Sequence, residues 1–290
     1  MVPARALAPL AVLTLVWGIN WPLFPLATRE VSVWTFRAVS VLLAGAVVLA
    51  VARWRGQSLA IPKQYWPTIA LATSLYLVVW NVASTYAAIL IPSGQAAILG
   101  FTMPFWAALL AWAFFDERPD GRMRIAIALG AGGVGLLIWR GAEAYAKAPL
   151  GFGLGLLSGL AWAVGTLVLK RGKVDVPATV LTGWQLLGTA LPIGIAALLL
   201  GDWQWFVPSA TSIAVIVYIG LVPMAVGNVA WFAIVGMLPT NVAGLSSILV
   251  PMVAMVSGAL VHGEPLGAVQ WLAMACCCGG LALALIRPAR

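Results

Sequence analysis

The sequence predicts an all-α polytopic membrane protein, with ten transmembrane helices in two inverted five-helix repeats and both termini in the cytoplasm. Three observations carry this. Of 290 residues, 63% are hydrophobic and 8% charged, whereas soluble domains carry roughly 25% charged residues. Too few polar groups are present to cover a water-facing surface. The apolar residues fall in long runs, and a membrane-crossing helix needs about 20 of them. Finally, the second half of the chain repeats the first.

Charged and Pro- or Gly-rich breaks divide the chain into spans at 6–27, 32–52, 65–90, 93–115, 122–140, 149–170, 177–200, 208–236, 240–260 and 266–286. Between the third and fourth, Ile91-Pro92-Ser93-Gly94 is the only break in about 50 residues, too many for one span. Arg5 ahead of an apolar run resembles a cleaved signal peptide. That segment has a counterpart in the second half, however, and is read as the first span.

Basic residues set the orientation, because cytoplasmic loops are enriched in them. With the N-terminus inside, the inner segments hold Arg5, Arg53, Arg55, Lys63, Arg118, Arg122, Arg124, Lys170, Arg171, Lys173, Arg287 and Arg290. The outer segments hold Arg29, Arg140 and Lys147, and Arg37 lies within a span. This topology accounts for the net charge of +8. No stretch is polar and basic enough for a nucleic-acid surface.

Shifting the chain by 147 residues aligns 81–140 with 228–287 without a gap. Asn81-Val82-Ala83 meets Asn228-Val229-Ala230, Pro92 meets Pro239, and Pro104 meets Pro251. Glu117 meets Glu264, Gly132-Gly133 meets Gly279-Gly280, and Arg140 meets Arg287. At shifts of 145 and 148, Trp17 meets Trp162 and Phe36-Arg37 meets Trp184-Gln185. The repeats are assigned to 1–147 and 148–290. Each holds five helices, an odd number, so the second enters the membrane from the opposite side. Inverted repeats are a transporter architecture, with the site near the midplane and access alternating between faces. The alternative is a static duplicated scaffold.

Polar groups in hydrocarbon are costly unless paired or facing a cavity, which singles out candidates. Arg37 lies about 9 Å into the second helix. It could hold a carboxylate, or else snorkel to the headgroups or bond free backbone carbonyls. The first helix places Leu13, Trp17, Asn20 and Phe24 on one face, with Trp21 beside them. Trp17 and Trp162 sit near the middle of their spans, where interfacial anchoring is a weak explanation and stacking on a substrate or packing between helices remain. In the third helix Ser74, Asn81 and Thr85 share a face, with Trp80 adjacent. Asn228 and Trp231 follow in the eighth. The two Asn either bind a polar substrate end or bridge helices. Pro104 and Pro251, mid-helix in the fourth and ninth spans, and Pro223 in the eighth would kink their helices. The first two read as symmetric hinges or as static bends. Gly151, Gly155, Gly159 and the run from Gly130 to Gly135 read as close helix packing.

Other classes fit poorly. Cys276, Cys277 and Cys278 are consecutive in an apolar run, so they read as small core residues rather than metal ligands. His262 lies more than three turns from Ser246 and Ser247, which argues against a serine hydrolase. A channel would need a more polar pore. No acidic side chain lies deep in a span, which favours facilitated export over proton coupling. No cofactor or metal is implied.

His262-Gly263-Glu264-Pro265-Leu266, with Gln270-Trp271-Leu272 and Gly279-Gly280, resembles the C-terminal repeat signature of the EamA family, in the drug/metabolite transporter superfamily. Asp116-Glu117-Arg118-Pro119 with Gly132-Gly133 is similar to the same signature in the first half, and Arg37 to the arginine that opens the family's second helix. Glu117 and Glu264 resemble the family's end-of-helix glutamates. The resemblance spans nearly the whole chain. It implies ten helices, cytoplasmic termini, and export of small metabolites through a cavity lined by the first, third, fourth, sixth, eighth and ninth helices. Gln185 replaces the arginine in the second half. On length and Trp/Asn content the chain is most similar to the YddG-type exporters of aromatic amino acids and methionine.

The expectation is a multi-pass protein of the bacterial inner (plasma) membrane that exports amino acids with aromatic or large apolar side chains by alternating access. A broad drug or cation exporter of the same fold, proton-coupled, is the alternative. The candidate substrate-binding set is Trp17, Asn20, Trp21, Arg37, Trp80, Asn81, Phe101, Trp162, Gln185, Asn228 and Trp231, with Pro104 and Pro251 as hinges. The expected partners are the amino-acid substrate and the lipid bilayer; an oligomer is permitted but not implied.

Overall fold

The computed structural model describes residues 6–115, 118–201, 208–238, 247–263 and 266–285, which are helical with no strand among them. Among the described residues, eight helices are long and apolar enough to cross a membrane. They are α1 (Leu7–Ala27), α2 (Val33–Trp54), α3 (Lys63–Leu90), α4 (Ser93–Phe115), α5 (Gly121–Arg140), α6 (Pro149–Arg171), α7 (Ala178–Leu200) and α8 (Ala210–Met237). Two further apolar helices are α9 (Val250–His262), which overlaps the expected ninth span and runs two residues past its end, and α10 (Ala268–Leu285), which falls within the expected tenth. Residues 239–246, at the start of the ninth span, lie outside the described residues, as do Glu117 and Glu264.

The helix starts follow local chemistry. Ser32 Oγ accepts from Thr35 N (3.1 Å), Asp120 Oδ1 from Met123 N (2.7 Å) and Ser209 Oγ from Ser212 N (3.2 Å), satisfying N–H groups that the first turn leaves unpaired. Gly263, at φ 68°, closes α9 in the left-handed conformation. Leu15, Leu42, Trp112, Phe114, Trp139 and Leu199 are exposed large apolar side chains, which a lipid surround accommodates.

Close packing is built on glycine. A Cβ on Gly45 of α2 would lie 2.8 Å from Leu187 of α7, and one on Gly183 of α7 would lie 2.5 Å from Leu49 of α2. Between α5 and α10, a Cβ on Gly133 would meet Ala273 O at 2.8 Å and one on Gly280 would meet Ala126 O at 2.7 Å. Cys277 is buried in that contact, its Sγ 3.9 Å from Gly130 O. Gly151, Gly155 and Gly159 press α6 onto Leu90, Leu99 and Thr102. Close backbone approach of this kind supplies the van der Waals contact that holds helices together in lipid.

The long-range pattern pairs α2 with α7 and α5 with α10, sets α1 against α8 and α9, and sets α6 against α3 and α4. Exchanging each helix for the one five places along leaves that pattern unchanged.

Two expectations about local geometry are corrected. Ser74 does not share the buried face of Asn81 and Thr85; it is exposed and its Oγ donates to Ala70 O. The segment Ser74–Val79 is a π-turn, and the extra residue per turn rotates the helical face before it relative to the face after it. The second correction concerns Pro104 and Pro251, which lie mid-span but not mid-helix. Helix α4 breaks at Phe101-Thr102 and restarts at Met103, and α9 starts at Val250 after a 3₁₀ turn at Ser247–Leu249. Each proline is the second residue of a new helical segment, where its missing N–H costs nothing. Any bending would occur at the breaks before them. Pro223 does lie inside its helix, in a second π-turn, Gly220–Gly227 of α8.

Glu30, in the loop after α1, accepts from the backbone N of Ser209 at 2.8 Å and so ties that loop to the start of α8. This hydrogen bond, helped by the Ser212 and Ser209 hydroxyls, holds the carboxyl below its usual value of 4.5. A depressed folded value means the contact contributes above the unfolded value and is lost as pH falls through the folded one. Acidification below about pH 4.5 should therefore lower the melting midpoint of the wild type more than that of Glu30→Gln. Parallel curves in thermal denaturation would show that the contact contributes nothing.

Candidate functional site

The face of α1 carrying Leu13, Trp17, Asn20 and Phe24 is buried, as is Trp21. It meets α6 at Trp162, which is 0% exposed and stands at the centre of an aromatic cluster. Ring centroids lie 5.3 Å from Trp162 for Trp17, 5.9 Å for Trp80, 5.2 Å for Phe101, 5.0 Å for Trp231 and 5.8 Å for Tyr76. Trp21 joins through Trp80 and Phe101, at 6.2 and 6.0 Å. Most of these pairs are tilted or edge-to-face, the arrangement that brings a positive ring edge onto a negative face. All six aromatic candidates from the sequence are thus brought together. The cluster draws on five of the six helices expected to line a cavity; the sixth, α9, packs behind α1 through Val253 at Gly18.

Two π-turns shape the cluster. Trp80 and Asn228 are the residues immediately after them. The indole N–H of Trp17 donates to Pro223 O, inside the α8 turn, at 2.9 Å. The indole lies in a notch at Gly227, where a Cβ would stand 2.2 Å from Trp17 Nε1.

The polar candidates divide by how far the protein satisfies them. Asn228 is fully engaged: its Oδ1 accepts from Tyr76 Oη at 2.9 Å and its Nδ2 donates to Met224 O at 2.8 Å, so it bridges α8 to α3. Asn81 donates Nδ2 to Leu77 O at 2.7 Å, which turns its Oδ1 away without a partner. Asn20 Oδ1 and the indole N–H groups of Trp80 and Trp162 also lack partners. Gln185, on α7, is fully buried with both amide atoms unmatched.

Arg37 is 0% exposed, so it does not snorkel, and no backbone carbonyl accepts from it. Its Nε donates to Thr85 Oγ1 at 2.5 Å, and Thr85 in turn donates to Asn81 O at 2.6 Å. Its Cζ lies 4.2 Å from the ring centre of Phe24, 4.8 Å from Phe36 and 5.9 Å from Trp80. Nη1 and Nη2 have no partner. The site therefore joins an aromatic cluster to unmet donors on Arg37 and unmet acceptors on Asn20 and Asn81. Buried polar atoms left unpaired cost about 1–3 kcal/mol each, a cost that a polar ligand removes.

Tyr76 and Phe232 also belong to the cluster, their rings 5.5 Å apart, although neither is among the candidates expected from the sequence. The available signal for Tyr76 is its position four residues before Trp80, on the same helical face.

Comparison with known proteins agrees with the architecture. The family model described as the EamA-like transporter family matches residues 6–139 and again 149–286. The chain is 28% identical over 269 residues to the probable amino-acid metabolite efflux pump of Salmonella typhimurium, covering 89% of this chain and 87% of that one. It is 25% identical over 267 residues to the uncharacterized inner membrane transporter YedA of Escherichia coli strain K12, covering 91% and 85%. A solved crystal structure superposes with a TM-score of 0.78 over 97% of each chain at 21% identity, a likeness of fold alone.

Proposed function

This chain belongs to the EamA-like transporter family, and on that premise we propose that it exports amino acids with aromatic or large apolar side chains, methionine included, by alternating access. It is a multi-pass inner-membrane transporter rather than an enzyme. The finer architecture belongs to the same proposal: ten helices, inverted repeats at 1–147 and 148–290, and cytoplasmic termini. The double family match and the packing that survives exchange of the halves support it, and so does the bias of basic residues.

The observation that carries the substrate reading is the junction of cage and charge. Trp80 lies 5.9 Å from both Arg37 Cζ and the Trp162 ring. A substrate side chain stacks among Trp17, Trp80 and Trp162, its carboxylate takes the Nη donors of Arg37, and its ammonium faces Asn81 Oδ1. Asn20, Trp21, Phe101 and Trp231 shape the cage, Asn228 holds α8 to α3, and Gln185 serves as the uncharged counterpart of Arg37. The breaks before Pro104 and Pro251 serve as hinges. No acidic residue lies in a spanning helix among the described residues, so export runs down the substrate gradient. The aromatic cage alone also suits a cationic drug; the unpaired guanidinium beside it disfavours one.

Uptake of labelled amino acids into proteoliposomes, with and without a pH gradient, tests this. Phe, Trp or Met should enter saturably without a gradient. Trp17→Ala should raise KM roughly 2–10-fold, the worth of one aromatic contact, and Asn81→Ala should lower uptake as well. Movement of cationic dyes in place of any amino acid would sink the proposal in favour of a drug exporter.

A further inference from the structure

Arg37 poses a charge problem that the amino-acid site does not solve when it is empty. The guanidinium is wholly buried, and the described spanning helices hold no carboxylate to neutralise it. Its protein contacts are one hydroxyl, Thr85 Oγ1, and the faces of Phe24, Phe36 and Trp80. Ring faces attract a cation only weakly compared with the hydration it gives up. Meanwhile Nη1 and Nη2 keep all four of their N–H groups unmatched. An uncompensated buried charge destabilises the fold, and a countercharge offsets that cost.

We propose that Arg37 is a binding site for a small monovalent anion, occupied by a halide such as chloride whenever no substrate carboxylate is there. The two Nη groups form a fork that takes a carboxylate through two parallel bonds or a single halide between its arms. The rings of Phe24, Phe36 and Trp80 crowd the guanidinium, their centres 4.2, 4.8 and 5.9 Å from Cζ, which limits the site to small ions. Anion and substrate carboxylate then compete for one guanidinium, so the anion is a competitive ligand of the substrate site. Only this competition rests on the functional reading above; anion binding itself does not.

The test uses the purified full-length protein in buffer free of amino acids, with chloride replacing gluconate at constant ionic strength. Gluconate is too bulky to reach a wholly buried guanidinium. Chloride should raise the melting midpoint of the wild type by about 5 °C at saturation, as expected of a ligand at a hundred times its Kd. Arg37→Gln should lose this dependence, and in gluconate should melt above the wild type because its buried charge is gone. An equal chloride effect in both proteins, or none in either, overturns the proposal. Should the variant fail to fold, bromide-soaked crystals of the wild type decide: an anomalous peak within about 3.5 Å of Nη1 or Nη2 supports the site, and none there overturns it. The two readings fail separately. Chloride stabilisation without amino-acid transport removes the functional reading and keeps this one, whereas transport with no anion effect does the reverse.

Discussion

Trp162→Ala is expected to abolish transport and to cost the folded protein about 3–5 kcal/mol, the range for removing a large buried aromatic side chain. Among the described residues no other ring meets rings on as many helices of the cluster: it contacts Trp17 of α1, Tyr76 and Trp80 of α3, Phe101 of α4 and Trp231 of α8. In lipid the loss falls on van der Waals contact, because the surrounding hydrocarbon is as apolar as the side chain removed. Stability and function separate in Trp162→Phe, which keeps a ring but lacks the indole N–H. That variant should melt closer to the wild type than Trp162→Ala does, because it leaves the smaller cavity, and show changed substrate preference. Melting curves read the first effect and proteoliposome uptake the second. Wild-type uptake by Trp162→Ala would remove the ring cluster from the mechanism.

Gly227→Ala should act at a distance through Trp17. The added methyl would stand 2.2 Å from Nε1 and 2.7 Å from Cδ1 of the indole, so the ring must leave its notch and surrender its 2.9 Å bond to Pro223 O. Overpacking of this kind costs about 1–3 kcal/mol. Its origin can be checked by a double-mutant cycle. If the clash is with the indole, Gly227→Ala is nearly silent in a Trp17→Ala background, with a coupling energy of about 1–2 kcal/mol. Additive losses would instead place the strain in the backbone of α8.

The spans were legible because length and hydrophobicity are set residue by residue: the eight helices long enough to cross the membrane end within three residues of their expected bounds. The aromatic cluster was legible because Trp17 and Trp162 align across the repeat, and a matching indole in so apolar a chain stands out. The π-turns were not. Ser74–Val79 contains neither Gly nor Pro, so its widening comes from tertiary packing, where Gly165 of α6 comes so close that a Cβ would lie 2.7 Å from that of Tyr76. That turn is what parts Ser74 from Asn81. The division of labour between Asn81 and Asn228 was hidden for a related reason: it depends on Tyr76, whose repeat mate at a shift of 147 is Pro223.

The bond from Trp17 to Pro223 crosses 206 residues, and α1 leans on α8 and α9 as well as on its own half. The ribosome delivers those partners late, about 10–40 s after α1 at ordinary rates of synthesis. Throughout that interval the first helix must sit in the bilayer with its Trp17 indole, Asn20 amide and glycine notch at Gly18 facing lipid or the insertion machinery. A nascent chain stalled before α8 should therefore be an early substrate for membrane quality control.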